Sequence, residues 1–344
     1  MKSFSDKRIL VTGATGTIGQ ELVCQLLESE KYQPKEVIGI DNNESELFFL
    51  DQKFSKYKNA RFFLADIRDK EACLHHMEGI DIVFHAAALK HVILCEKSPM
   101  QAVHTNIMGI ENLIGAAKHH RVEKFIFTSS DKAVNPTNVM GTSKLMGERL
   151  VTAANSNQKQ EKAIFASTRF GNVLGSNGSV VPIFKRQIEN GEGITLTDER
   201  MTRFVMSIKE AVNLVIDSAF FAKGGEVFIT KMPVIRIKDL AEVMIEELAP
   251  KFGHSPKSIP INIIGAKPGE KLYEELMSDE ETARAIELKE YFSILPAFRS
   301  VYEDIDYTYE GVISNNVTNP YVSAKEACLS HAELKTFLIR NNLI

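Results

Sequence analysis

The sequence predicts an α/β fold, a doubly wound and mainly parallel sheet with a smaller C-terminal lobe. Three observations carry this. Up to Phe170, short apolar runs alternate with longer amphipathic stretches, the rhythm of a parallel sheet covered on both faces. A glycine-rich turn, Thr12-Gly13-Ala14-Thr15-Gly16-Thr17-Ile18-Gly19, follows the first apolar run and opens a helical pattern. After Phe170 the rhythm breaks at Gly171-Asn172-Val173-Leu174-Gly175-Ser176-Asn177-Gly178-Ser179.

The elements follow in order. Residues 8–12 read as the first strand and 18–27 as an amphipathic helix. Residues 36–40, 61–65 and 80–85 are the second, third and fourth strands, rich in β-branched or aromatic side chains. Residues 103–119 are helical, 124–128 form the fifth strand, 141–155 a helix and 163–170 the sixth strand. The polar stretch 155–162 is a loop. Beyond the break, helices are expected at 181–190, 208–222 and 237–249, and strands at 194–197, 226–229 and 261–264. The stretch past residue 280 shows no clean period. It is expected to form a small lobe over the carboxyl ends of the sheet, with strands returned to the main domain. The expected division is 1–175 for a nucleotide-binding domain, with strands returned from 205–235, and 176–204 with 236–344 for the second lobe.

Composition narrows the classes. The 344 residues can bury a large core. A net charge of -4 lacks the basic excess of a nucleic-acid footprint. No apolar run approaches the roughly 20 residues of a membrane span. The N-terminus enters a strand without a signal-peptide apolar region, so a cytoplasmic protein is expected. Cys24, Cys73, Cys95 and Cys328 are scattered, which reads as reduced thiols. The adjacent pairs His75-His76 and His119-His120 point in different directions on helices, so no metal site is expected.

Strand, glycines and helix in that order match a Rossmann-type dinucleotide site, although the spacing is GxxGxxG. The fold class is therefore a Rossmann-type doubly wound parallel sheet with a smaller C-terminal substrate-binding lobe. Gly13, Gly16 and Gly19 let the backbone turn and approach a pyrophosphate, and the helix N-terminus favours its charge. Thr15, Thr17 and Ile18 belong to the same turn. Asp41 ends the second strand, followed by Asn42. An acid there binds the adenosine ribose hydroxyls and repels a 2′-phosphate, so NAD is expected over NADP. Asp41 could equally cap the next helix. Asp66 and Ile67 end the third strand, beside the expected adenine edge. Ala86, Ala87 and Ala88 end the fourth, and their size allows close approach. His85 reads as a hydrogen-bonded structural histidine. Asn106 is a cofactor-side candidate with no partner derivable from sequence.

The carboxyl end of the fifth strand carries a hydroxyl, a carboxylate and an amine in succession, Ser130, Asp131 and Lys132, with Lys144 on the following helix. Ligands bind at that end of open α/β sheets. Met140 lies four residues before Lys144. Its thioether is a weak acceptor and transfers no proton.

Together the glycine turn, His85-Ala86-Ala87-Ala88 and the Lys144 helix resemble an extended short-chain dehydrogenase/reductase. Narrower blocks resemble the nucleotide-sugar 4,6-dehydratases that act on UDP-N-acetylglucosamine. These are Ala87-Ala88-Leu89-Lys90-His91-Val92, Ser130-Asp131-Lys132-Ala133-Val134-Asn135-Pro136, Arg169-Phe170-Gly171-Asn172-Val173-Leu174-Gly175-Ser176, Gly178-Ser179-Val180-Val181-Pro182, Met201-Thr202-Arg203-Phe204 and Lys267-Pro268-Gly269-Glu270-Lys271-Leu272-Tyr273-Glu274-Glu275. Met140 stands where that superfamily usually has Tyr, a variant similar to members of the polysaccharide-biosynthesis branch.

The resemblance implies a hydro-lyase with NAD as recycled hydride carrier, making a 4-keto-6-deoxy sugar for bacterial surface glycans or nonulosonic acid precursors. Whether the nucleotide is UDP or GDP stays open. Asp131 would protonate the hydroxyl leaving carbon 6, and Lys132, its pKa lowered, would take the carbon 5 proton. Ser130 would bind the carbon 4 oxygen, and Lys144 the nicotinamide ribose. With Met140 inert, deprotonation at carbon 4 falls to Asp131, to a water, or to Ser130 relaying to Lys144. Asn172, Ser179 and Arg203 would hold the diphosphate. Lys90, Arg169 and Lys267 are further substrate candidates, and Glu270 would contact the nucleotide ribose. A homo-oligomer, dimer or hexamer, is expected, built on the 103–119 and 141–155 helices. Two alternatives stand: a 4-epimerase or reductase on the same fold, and a non-catalytic NAD-binding regulatory protein.

Overall fold

The computed structural model describes residues 3–156, 163–176, 178–265, 271–302 and 305–344. Six parallel strands come first: β1 (Arg8–Thr12), β2 (Glu36–Asp41), β3 (Ala60–Leu64), β4 (Ile82–His85), β5 (Lys124–Thr128) and β6 (Ile164–Arg169). They lie in the order β3-β2-β1-β4-β5-β6. The order reverses between β1 and β4, the switch point where such sheets open a crevice. There Thr12 pairs with His85 in register.

Successive side chains on each strand go to opposite faces. Ile9, Val11, Phe84 and Ile126 pack on one side with the helices Thr17–Glu28 and Ile208–Phe221. Leu10, Val83, Phe125 and Phe165 pack on the other with Lys70–Met77 and Gly109–His119. This is why the strands are apolar throughout instead of alternating.

Val227–Thr230 extends the sheet in parallel beside β6. Three antiparallel strands then follow: Tyr291–Ile294, Ala285–Leu288 and Val312–Ser314. These three fall within 236–344, inside the stretch past residue 280 that is expected to return strands to the main domain. The added strands pair the edge that Val227–Thr230 would otherwise leave open. Phe292 and Ile294 are buried there.

Local chemistry explains two helices that periodicity misses. Asn43 caps Glu44–Phe54, and Asp69 caps Lys70–Met77. The helix expected at 103–119 is interrupted by a π-helical turn, His104–Met108, which carries the buried Asn106.

The second lobe has its own core, including Phe184, Ile188, Leu240, Met244, Leu334 and Leu338. Its strand Thr202–Met206 lies between Asn172–Val173 and Val234–Arg236. An antiparallel pair, Glu275–Met277 with Tyr321–Val322, brings the chain back to the turn that follows β5. Among the described residues no helix is long and apolar enough to cross a membrane.

Candidate active site

A cleft of about 480 Å³ opens at the carboxyl ends of β1 to β4. Gly13, Thr15 and Gly16 line it from the first turn, Asp41 and Asn42 from the second, Asp66 and Ile67 from the third, and Ala86 to Ala88 from the fourth. Gly13 has φ 67°, and a Cβ there would lie 2.6 Å from the Ala87 Cα. Only glycine fits that close approach. The helix Thr17–Glu28 starts at Gly16 with no side-chain cap, which leaves its first N–H groups to a ligand anion. Asp41 accepts N–H groups from Thr15 (3.1 Å) and Asn43 (3.0 Å), so its carboxylate is fixed at the cleft wall. These features fit a dinucleotide. Thr17, Ile18 and Gly19 are absent from the lining and form the helix start.

Arg68, Gln101 and Thr105 also line this cleft and escaped the sequence reading. Arg68 is held by Asp66, with Nη2 2.5 Å from Oδ2. Hydrogen bonds from Arg68, against burial, keep the Asp66 carboxyl down at about 2. Asn106, expected toward the cofactor, does something else. Its amide pairs with both backbone groups of Leu89 and donates to Ser143 Oγ at 2.9 Å. It thereby fastens the loop after β4 to the Lys144 helix. His85 is structural as expected, with Nδ1 2.6 Å from Thr12 Oγ1. Burial, then the Lys144 charge, lower its pKa to about 3.

After β5 the chain makes a 3₁₀ turn at Asp131–Ala133, which brings neighbouring side chains to one side. Ser130 Oγ donates to Asp131 Oδ1 at 2.5 Å. Lys132 Nζ lies 3.1 Å from Asp131 Oδ2 and 3.6 Å from Glu274 Oε1. Glu274 hydrogen-bonds Asp131, and Arg203 Nε stands 3.3 Å from Glu274 Oε1. Glu274 was not among the expected residues. Its only sequence signal was membership of the block ending at Glu275.

Burial would raise the Asp131 carboxyl, but the Lys132 charge and hydrogen bonds from Glu274 and Ser130 hold it below the usual range. Burial would lower Lys132, but the charges of Asp131 and Glu274 outweigh it and raise it. The expectation of a lysine with lowered pKa is therefore corrected: in the resting site Lys132 is an ammonium. Burial, then the Asp131 charge, push Glu274 up to about 7.

Lys144 is buried and donates to the Thr128 carbonyl at 2.9 Å. Burial lowers it to about 8, against Glu148. Gly141 lets the helix abut the Lys132 carbonyl, since a Cβ would collide with it. Met140 is buried in a small apolar cluster with Cys95 and Ala102.

A second cavity, about 260 Å³, lies in the other lobe and is lined by Asn172, Ser179, Phe184, Thr195 and Arg203, among others. Ser179 Oγ is buried without a hydrogen-bond partner among the described residues, as a ligand-facing hydroxyl would be. Arg203 is more committed than a free diphosphate clamp. It donates to the carbonyls of Thr202, Leu272 and Lys271 and anchors that segment.

Arg169 is a clear correction. Its Nε, Nη1 and Nη2 bond Glu148, Glu281 and the Leu276 carbonyl at 2.6–3.1 Å. All five donors of the guanidinium are used, so none remains for substrate. Lys90 is exposed on the loop after β4. Lys267 and Glu270 lie outside the described residues. Of possible metal ligands, Asp239, Glu242 and His331 cluster in the second lobe, already joined to Arg236 and to each other.

Comparison with known proteins gives a family match over residues 9–296, described as polysaccharide biosynthesis protein. A Campylobacter jejuni protein named UDP-N-acetylglucosamine 4,6-dehydratase (inverting) is 39% identical over 89% of this chain and 87% of its own. A Rickettsia canadensis protein named UDP-glucose 4-epimerase is 36% identical over 99% of this chain and 98% of its own. The crystal structure of Pen from Bacillus thuringiensis superposes with a TM-score of 0.90 at 42% identity, covering 99% of both chains.

Proposed function

This chain belongs to the polysaccharide biosynthesis protein family, within the extended short-chain dehydrogenases, and from that premise we propose that it is an NAD-dependent 4,6-dehydratase of UDP-N-acetylglucosamine. The observation that carries this is the contact of Ser130, Asp131 and Lys132 at the end of β5, beside the glycine-lined cleft. The C. jejuni relative supplies the nucleotide and sugar.

When bound, NAD supplies the hydride acceptor for carbon 4 and returns the hydride to carbon 6. The turn at Gly13 and Gly16 receives the pyrophosphate, and Asp41 takes the adenosine ribose hydroxyls and disfavours a 2′-phosphate. Lys144 reaches the nicotinamide ribose, and Ser130 holds the carbon 4 oxygen. In the resting pair the proton sits on Lys132. One transfer across the 3.1 Å contact gives a neutral amine and a carboxylic acid. The amine accepts the carbon 5 proton, while Asp131 protonates the hydroxyl leaving carbon 6 as water. That step restores the ion pair; Lys132 then returns its proton to carbon 5 as carbon 6 is reduced, and the proton that leaves the carbon 4 hydroxyl, to a water or through Ser130 to Lys144, makes up the loss. Asn172 and Ser179 receive the nucleotide diphosphate, with the second lobe as substrate domain.

The protein works in the cytoplasm as a homo-oligomer. Exposed apolar side chains at Met108 and Met146, on the helices expected to pair, support the assembly. The R. canadensis relative keeps 4-epimerisation as the alternative reading. Epimerisation needs no acid at carbon 6 and leaves Asp131 and Lys132 without a task.

Proton NMR of the protein with UDP-N-acetylglucosamine in deuterated water tests the proposal, with the GDP-linked sugar in a parallel sample. A new methyl signal from a 4-keto-6-deoxy product is expected with the UDP sugar. A 4-epimer without a methyl signal would replace this reading with the alternative.

A further inference from the structure

Glu274 reaches Asp131 from far along the chain. Its backbone N–H donates to Ser323 Oγ at 2.9 Å, and its carbonyl accepts the Ser323 N–H at 2.9 Å. Ser323 Oγ is also 2.9 Å from Thr202 Oγ1. Two strands of the second lobe therefore fix the Glu274 backbone, and Arg203 fixes its side chain. The residue is buried. Its carboxyl faces Asp131 and Lys132 on the turn after β5, and Arg203 on Thr202–Met206. On its own segment Lys271 pairs with Glu275 at 3.3 Å. Two facing carboxyl groups favour holding one proton between them; burial and the Asp131 charge raise Glu274 to about 7 although Lys132 and Arg203, at 3.6 and 3.3 Å, oppose them.

We propose that Glu274 is a positioning residue for elimination: it donates a hydrogen bond to Asp131 and stabilises the carboxylate that Asp131 becomes on protonating the leaving hydroxyl. This rests on the dehydratase reading. The Asp131 O–H bond and the carbon 6–oxygen bond break, water forms, and Glu274 keeps its own proton. A preset donor aimed at a developing negative charge is the arrangement that lowers such barriers most. The donor exists only while Glu274 is protonated. Dehydration should therefore be full below neutrality and fall as pH rises through about 7.

Three variants and an infrared titration test this. Glu274→Ala should lose about 100-fold in kcat, the size of one lost donor. Glu274→Gln keeps an N–H donor at every pH. It should stay within about tenfold of wild type at low pH and lose the fall near neutrality. In infrared spectra of the cofactor-loaded protein, a protonated-carboxyl band should persist to neutral pH, vanish in Glu274→Gln and titrate lower in Asp131→Asn. The proposal is overturned if Glu274→Gln is as inactive as Glu274→Ala, if its pH profile matches wild type, or if the band is missing. A wild type that shows the band but makes no 4-keto product overturns the dehydratase assignment, and with it the role in elimination, while leaving the carboxyl pair in place.

Discussion

Lys132 Nζ lies 3.1 Å from Oδ2 of Asp131, its neighbour in sequence. Consecutive side chains on an extended strand would point apart. The 3₁₀ turn Asp131–Ala133 turns them together, and the hydrogen bond from the Asp131 N–H to the Phe170 carbonyl holds that turn against the end of β6.

Removing either partner should stop elimination and spare the cofactor. Asp131→Asn keeps the shape but cannot donate a carboxyl proton. Lys132→Ala removes the amine. Each should lose at least about 100-fold in kcat, the usual size of a general acid or base effect. NAD affinity, read by fluorescence titration, should stay within about twofold, because neither residue lines the glycine cleft. Both variants releasing the 4-keto product at wild-type rates would remove these roles.

Arg169 should matter for stability and not for substrate. Arg169→Met strands the buried carboxylates of Glu148 and Glu281, at a cost of about 3–5 kcal/mol. Burial raises Glu281, but the Arg169 charge and hydrogen bonds overcome it and hold it at about 2, below its ordinary 4.5. That depressed carboxyl contributes stability present above 4.5 and lost as pH falls toward 2. The acid-dependent part of the unfolding free energy should shrink in Arg169→Met, as denaturant titrations at several pH values will read. The KM of whatever fraction folds should be unchanged. A raised KM at wild-type stability would restore the substrate role expected from sequence.

Cofactor choice should turn on Asp41. Its fixed carboxylate faces the same cleft as Arg68, whose charge is occupied by Asp66. NAD should bind at least tenfold tighter than NADP, about 1.4 kcal/mol. Asp41→Asn removes the repulsion and retains an acceptor, so the ratio should move toward NADP. Equal affinities in the wild type would mean that Arg68 leaves Asp66 for the 2′-phosphate.

The cofactor cleft was legible because its signals are local. Gly13, Asp41, Asp66 and Ala86 to Ala88 each sit at a strand end, and a parallel sheet aligns those ends at one rim. The errors share a different cause. Arg169 looked like a phosphate ligand because its partners, Glu148 and Glu281, come from a helix and from the far end of the chain. Lys132 looked like a base because Glu274, which together with Asp131 raises it, comes from far along the chain and was not in view. Asn106 depended on a π-helical turn that periodicity does not mark. Strands returned from the stretch past residue 280 were expected, but their places, between residues 285 and 314, were not, because they join the sheet by antiparallel pairing at its edge and βα rhythm does not announce them.

Met140 should prove to be a packing residue. It is 3% exposed and lies with Cys95 and Ala102, with Val92 and Val139 packed around them. Met140→Leu conserves volume and should cost under about 1.5 kcal/mol, with dehydration intact. Met140→Tyr must fit a larger ring and a phenolic hydroxyl into that cluster. Overpacking costs about 1–3 kcal/mol, and the buried hydroxyl needs a partner as well. Its unfolding midpoint should fall and its turnover should not rise, because the elimination draws its proton from Asp131. If Met140→Leu instead loses activity at unchanged stability, the thioether touches the substrate, and the sulfur has a part in the site that packing alone does not give it.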